Sequence, residues 1–165
     1  MAMKLRTNEE ALLHSLEAQR PEVEARYVSM NIPRIYVAGP FRADSAWGIE
    51  QNIRRAEVLG LEIVKMGGCP IIPHTMYRFF QGALPDEVWL DCGLALLEPC
   101  HAIVCARGWI DSTGTRGELA RARALQMPAF FQGEVDGIIR TGDSWDLLSD
   151  FITDWRREHN QNEPT

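Results

Sequence analysis

Short apolar runs recur along this chain, each followed by a longer stretch with helical periodicity, and that alternation narrows the possible folds most. The runs are 34–38 (RIYVA), 69–73 (CPIIP), 101–106 (HAIVCA), 127–131 (MPAFF) and a weaker 137–140 (GIIR). Between the first two, Ile49, Ile53, Ala56, Leu59 and Ile63 repeat at helical spacing, which predicts a helix from Ser45 to Met66 that Gly67-Gly68 stops. Further helices are expected from Pro85 to Leu97, Thr115 to Gln126 and Ser144 to Glu158. Strands that alternate with helices in this way form a parallel sheet covered on both faces.

Five such strands predict an α/β, flavodoxin-like (Rossmann-type) sheet of order 2-1-3-4-5, with a ligand crevice at the carboxyl ends of strands 1 and 3. The loops there, 39–48, 74–84 and 107–117, are also the richest in Gly, Pro, Arg, Asp and Ser/Thr. Ahead of the α/β unit, Thr7-Asn8-Glu9-Glu10 forms a capping box leading into Leu12, Leu13 and Leu16, an extra N-terminal helix. The expected organisation is a helical extension over 1–32, one α/β domain over 33–158 and a polar, frayed tail over 159–165. One domain suits 165 residues with 45% hydrophobic content.

A net charge of -6 argues against nucleic acid as a partner, because backbone binding needs clustered Lys and Arg. A small anion held by one or two local arginines remains compatible with it. The N-terminus MAMKLRTNEE lacks the apolar core of a signal peptide, and no apolar stretch is long enough for a membrane span, so a cytoplasmic chain with no membrane contact is expected. Cys69, Cys92, Cys100 and Cys105 lie in apolar sequence without zinc-type spacing and read as buried free thiols; no metal or other cofactor is implied.

Residues 109–119, WIDSTGTRGEL, pose the functional question. Thr115-x-x-Glu118 fits a capping box, in which Glu118 closes a helix start. The same glutamate follows a polar strand-to-helix loop, where chemistry concentrates. The first strand carries Tyr36 and exits through Gly39-Pro40-Phe41-Arg42, a turn into a helix start suited to an anion, with Arg42 reinforcing it. Asp91 sits in Val88–Leu97, apolar nearly all round, which predicts a buried carboxylate that is protonated, hydrogen-bonded or paired with an arginine such as Arg54 or Arg78. Asp111 precedes Ser112-Thr113-Gly114 and reads either as an Asx-turn or as a site acid. His74, directly after strand 2, faces the same end of the sheet. Several carboxylates, a tyrosine and an anion-binding turn fit chemistry at a sugar carbon, where one carboxylate attacks and another group handles the leaving-group proton.

Three stretches, IYVAGPFR, DEVWLDCGLALLEPCHAIV and DSTGTRGELARARALQMPAF, give residues 33–131 a resemblance to the nucleoside 2-deoxyribosyltransferase superfamily, which includes deoxynucleoside 5′-monophosphate N-glycosidases and phage-type relatives. The resemblance implies that Glu118 attacks the anomeric carbon, that Tyr36 orients it, that Asp91 serves proton transfer or contacts the sugar, and that Asp111 is the aspartate before the nucleophile. It further implies that Arg42, Ser112 and Thr113 hold a 5′-phosphate, and that the chain acts as a homo-oligomer on a small-molecule nucleoside or nucleotide. The stretch from Tyr77 to Pro85 has no clear counterpart in that superfamily. The rival is a catalytically silent nucleotide-binding or sensing module of the same fold, which would bind a nucleotide without releasing free base.

Overall fold

The computed structural model describes residues 31–132 and 141–160, with side chains from 144 onward in the second stretch. A compact unit, Ile32–Glu158, contains the sheet and the cleft described below. Its elements are β1 (Arg34–Ala38), α1 (Ala46–Lys65), β2 (Cys69–Ile71), the single-turn α2 (Pro73–Met76), α3 (Asp86–Leu97), β3 (Ala102–Cys105), α4 (Thr113–Ala124), β4 (Ala129–Phe131) and α5 (Thr141–Asn160). The strands pair in parallel in the order β2-β1-β3-β4, consistent with a flavodoxin-like fold. Four strands are present among the described residues; the expected fifth, 137–140, and the expected N-terminal helix lie outside them. No helix among the described residues is long and apolar enough to cross a membrane.

The period-two alternation of β1 sorts the core into two layers. Ile35 and Val37 face one side, packing with Ala102 and Val104 of β3 against Ala56, Leu59 and Ile63 of α1 and Leu148 and Ile152 of α5. Tyr36 and Ala38 face the other, with Ile103 and Cys105, against Leu97 of α3 and Leu119 and Ala122 of α4. Tyr36 therefore points into the layer that also receives Glu118. The chain runs outward from β1 to β2 and then crosses back to β3, so the loops after β1 and β3 diverge and leave a crevice at their carboxyl ends.

Helix α1 forms where its apolar spacing places it. Ser45 caps it, its side chain accepting from Gly48 N at 3.1 Å, and Gly67 ends it with a left-handed φ of 91° that a side chain would resist. Strand β2 stops at Ile71, two residues before the expected Pro73, because that proline opens α2 at a position where its missing N–H is not needed. Helix α4 starts two residues earlier than expected. Ser112 caps it, its Oγ accepting from Thr115 N at 3.3 Å and from Thr115 Oγ1 at 2.9 Å. Thr115 is thus a buried residue of the first turn, not the cap.

Candidate active site

That shift of the helix start decides the role of Glu118. Counted from Ser112, it lies in the second turn of α4, beyond reach of the cap, so the capping-box expectation is overturned. Its Oε1 instead accepts from Tyr36 OH at 2.6 Å, across the layer formed by β1 and α4. Helix α3 covers the pair at Gly93. A Cβ there would stand 3.1 Å from the Tyr36 hydroxyl and 3.3 Å from Glu118 Oε1, so glycine lets the helix close down on the two side chains.

Burial under this lid pushes the Glu118 carboxyl up to about 7 from an ordinary 4.5, only partly opposed by the hydrogen bond from Tyr36. Tyr36 is itself driven well above its usual range, first by burial and then by the Glu118 charge, so its hydroxyl keeps its proton and remains a donor. Cys105, nearby, is raised to about 12 by burial and by Glu118, which leaves it an inert thiol. Cys100 is also buried, but Cys69 and Cys92 are exposed, so the expectation of four buried thiols is corrected at those two positions. Cys69 begins a sheet-edge strand, and Cys92 is on the open side of α3.

The pair lies at the inner end of a cleft of about 680 Å³ at the carboxyl ends of β1 and β3. Of the residues singled out in sequence, Gly39, Pro40, Phe41, Arg42, His74, Asp111, Ser112, Thr113, Gly114 and Glu118 all line it, while Tyr36 lies beneath its floor. Asp91 does not. The cleft side of α3 is Asp86, Trp89, Leu90 and Gly93, at helical spacing, and Asp91 falls about 100° round the axis from Leu90, on an exposed position. The expectation of a buried Asp91, whether protonated, hydrogen-bonded or paired with an arginine, is corrected accordingly. Arg54 and Arg78 pair with Glu50 and Glu57 instead.

The mouth is braced by polar contacts that sequence reasoning missed. Arg42 forms an ion pair with Asp86, joining the loop after β1 to the start of α3. Asn52, nearly buried on α1, donates through Nδ2 to the carbonyls of Phe41 at 3.2 Å and Arg42 at 3.1 Å, holding the same loop from the other side. His74 is buried too. Its Nε2 lies 3.1 Å from the carbonyl of Gly39 and 3.3 Å from that of Pro40; both can only accept, so Nε2 carries the proton. Burial lowers its pKa, keeping the ring neutral, and Nδ1 is buried without a partner among the described residues. Gly39 lets the same loop lie against the exit of β3, since a Cβ there would come within 2.9 Å of Ala106 Cβ.

An aromatic wall completes the cleft. Tyr77 and Phe80, from the stretch that has no counterpart in the resembled superfamily, pack on Trp89 with ring centroids 5.2 and 6.0 Å away, the second pair stacked at 21°. The signal for this wall was present as Asp86-x-x-Trp89-Leu90-x-x-Gly93, a second helical face inside a segment read as apolar all round. Among the described residues no group of three or more His, Cys, Asp and Glu side chains is placed to hold a metal ion.

Residues 33–132 match the family model described as Domain of unknown function (DUF7768), and the chain belongs to that family. No curated protein matches the chain.

The raised Glu118 carboxyl links stability to pH. Its folded-state pKa lies above the unfolded value, so the fold favours the neutral form. That contribution is complete below about pH 4.5 and lost as pH rises through about 7. The difference corresponds to about 3 kcal/mol. Glu118→Gln, which cannot ionise, is expected to match the wild type in urea unfolding near pH 4.5 and to exceed it by an amount of that order near pH 8.5. Parallel pH dependences of the two proteins would show that Glu118 is not held in a desolvated site.

Proposed function

We propose that this chain is an N-glycosidase or deoxyribosyltransferase that cleaves the N-glycosidic bond of a nucleoside or nucleoside 5′-monophosphate through a covalent glycosyl-Glu118 intermediate. The observation that carries the reading is the Tyr36–Glu118 pair at the inner end of the cleft. A carboxylate that attacks carbon needs one oxygen oriented and the other open, and hydrogen bonding of Oε1 to Tyr36 has that effect. A carboxyl near pKa 7 is also more basic, and more nucleophilic when ionised, than a solvated one.

In the proposed sequence the ionised Glu118 attacks the anomeric carbon, a C–O bond forms and the C–N bond breaks, and its electron pair leaves on the base, which takes up a proton. Water then releases the sugar from Glu118 in hydrolysis; a second base does so in transfer. With Asp91 outside the cleft, proton delivery falls to Asp111, which lines the cleft and makes no ion pair among the described residues. The aromatic wall of Tyr77, Phe80 and Trp89 suits a base, and the loop after β1 with the first turn of α4 suits a 5′-phosphate, so the monophosphate is the favoured substrate. The resemblance of residues 33–131 to the 2-deoxyribosyltransferase superfamily supports the same chemistry. We further propose a cytoplasmic homo-oligomer; light scattering giving the 18.7 kDa of one chain at micromolar concentration would contradict it.

A screen of nucleosides and their 5′-monophosphates for released base tests the enzyme against a binding module. Turnover is expected to fall by several orders of magnitude in Glu118→Gln while ligand binding persists, and kcat/KM should rise with pH through a limb near 7 as Glu118 ionises. Base release that survives the substitution would exclude Glu118 as the nucleophile, and binding without any release would favour the sensing module.

A further inference from the structure

Two arginines line the cleft, and their surroundings differ. Arg42 is discharged locally by Asp86, and Arg54 and Arg78, on or against α1, share Glu50 and Glu57. Arg55 has no ion pair among the described residues. Its one hydrogen bond there runs from Nη1 to Asn52 Oδ1 at 3.0 Å.

That bond sets the direction of the guanidinium. Asn52 is 9% exposed, and its Nδ2 is committed to the carbonyls of Phe41 and Arg42, which can only accept. Its Oδ1 must therefore face Arg55, and no amide flip preserves the network. A buried amide thus holds one edge of the guanidinium, leaving Nε and Nη2 to donate to a group in the cleft. In a chain of net charge -6, a pre-oriented and unneutralised arginine on a cleft wall is a local anion site, because phosphate or carboxylate matches the remaining fork. The first turn of α4, where the backbone N–H groups of Thr113 and Gly114 have no helical acceptor, lines the same cleft and adds donors of the same sign.

We infer that Arg55, positioned by Asn52, is the specificity-determining residue that receives the substrate's anionic group, while Arg42 stays with Asp86 as a brace between the β1 loop and α3. The inference rests on the nucleotide reading for naming that anion a 5′-phosphate. The residue assignment rests on the hydrogen-bond network alone, and the two can fail separately because anion binding requires no turnover.

Calorimetry of the full chain with inorganic phosphate and ribose 5-phosphate tests it. The wild type should bind ribose 5-phosphate at millimolar concentration or below. Arg55→Ala, at an exposed helical position, should keep its melting temperature and weaken both ligands about ten- to a hundredfold. Arg55→Lys keeps the charge without the planar fork and should fall between, whereas Arg42→Ala should change affinity less than about threefold. The assignment is overturned if Arg55→Ala and Arg55→Lys bind both ligands as the wild type does, if Arg42→Ala loses as much as Arg55→Ala, or if the wild type binds neither ligand at about 10 mM.

Discussion

A carboxyl group held largely out of water against a tyrosine ties β1 to α4 beneath α3. Tyr36 faces Glu118 only because β1 alternates, sending Ile35 and Val37 to one layer and Tyr36 and Ala38 to the other. Glu118 reaches Tyr36 only because Ser112 caps α4, which carries the glutamate one turn into the helix. Helix α3 closes tightly over both because residue 93 has no side chain to press on them. Each condition is local, and together they create a carboxyl whose neutral and ionised forms are comparably populated near neutrality. The fold tolerates a group that it would bind better uncharged, as is common where chemistry and stability compete for one residue.

Much of this was legible without coordinates. The strands emerged from short apolar runs and α1 from its apolar spacing and its glycine stop, because burial on a sheet or a helix stripe leaves a periodic trace. The loops of the crevice followed from strand order, and all ten of the singled-out loop and helix-start residues from Gly39 to Glu118 line one cleft. The failures share a physical cause. Thr115 and Ser112 both offer a hydroxyl at a plausible helix start, and the choice between them depends on tertiary packing that buries Thr115. In α3, Val88 and Leu90 are substantially exposed despite an apolar sequence, so hydrophobicity alone misplaced Asp91. Contacts between distant segments, such as Arg42 with Asp86, leave no sequence signal at all.

The cleft is chemically polarised. Arg55 of α1 and the N–H donors at the start of α4 occupy part of its wall, and the aromatic rings of Tyr77, Phe80 and Trp89 occupy another. A ligand carrying both an anionic group and a flat ring, such as the nucleoside monophosphate proposed above, would engage both. The neutral His74, hydrogen-bonded to two backbone carbonyls, belongs to the framework that holds the β1 loop in place.

The proposed covalent bond between Glu118 and the anomeric carbon is tested most directly by mixing enzyme with a cleaved substrate, quenching in acid within a turnover, and mapping the modified peptide by mass spectrometry. One added sugar, with its phosphate if the monophosphate is used, is expected on the peptide containing Glu118 and absent from Glu118→Gln. Base release with Glu118 unmodified and the adduct on another carboxylate would contradict it.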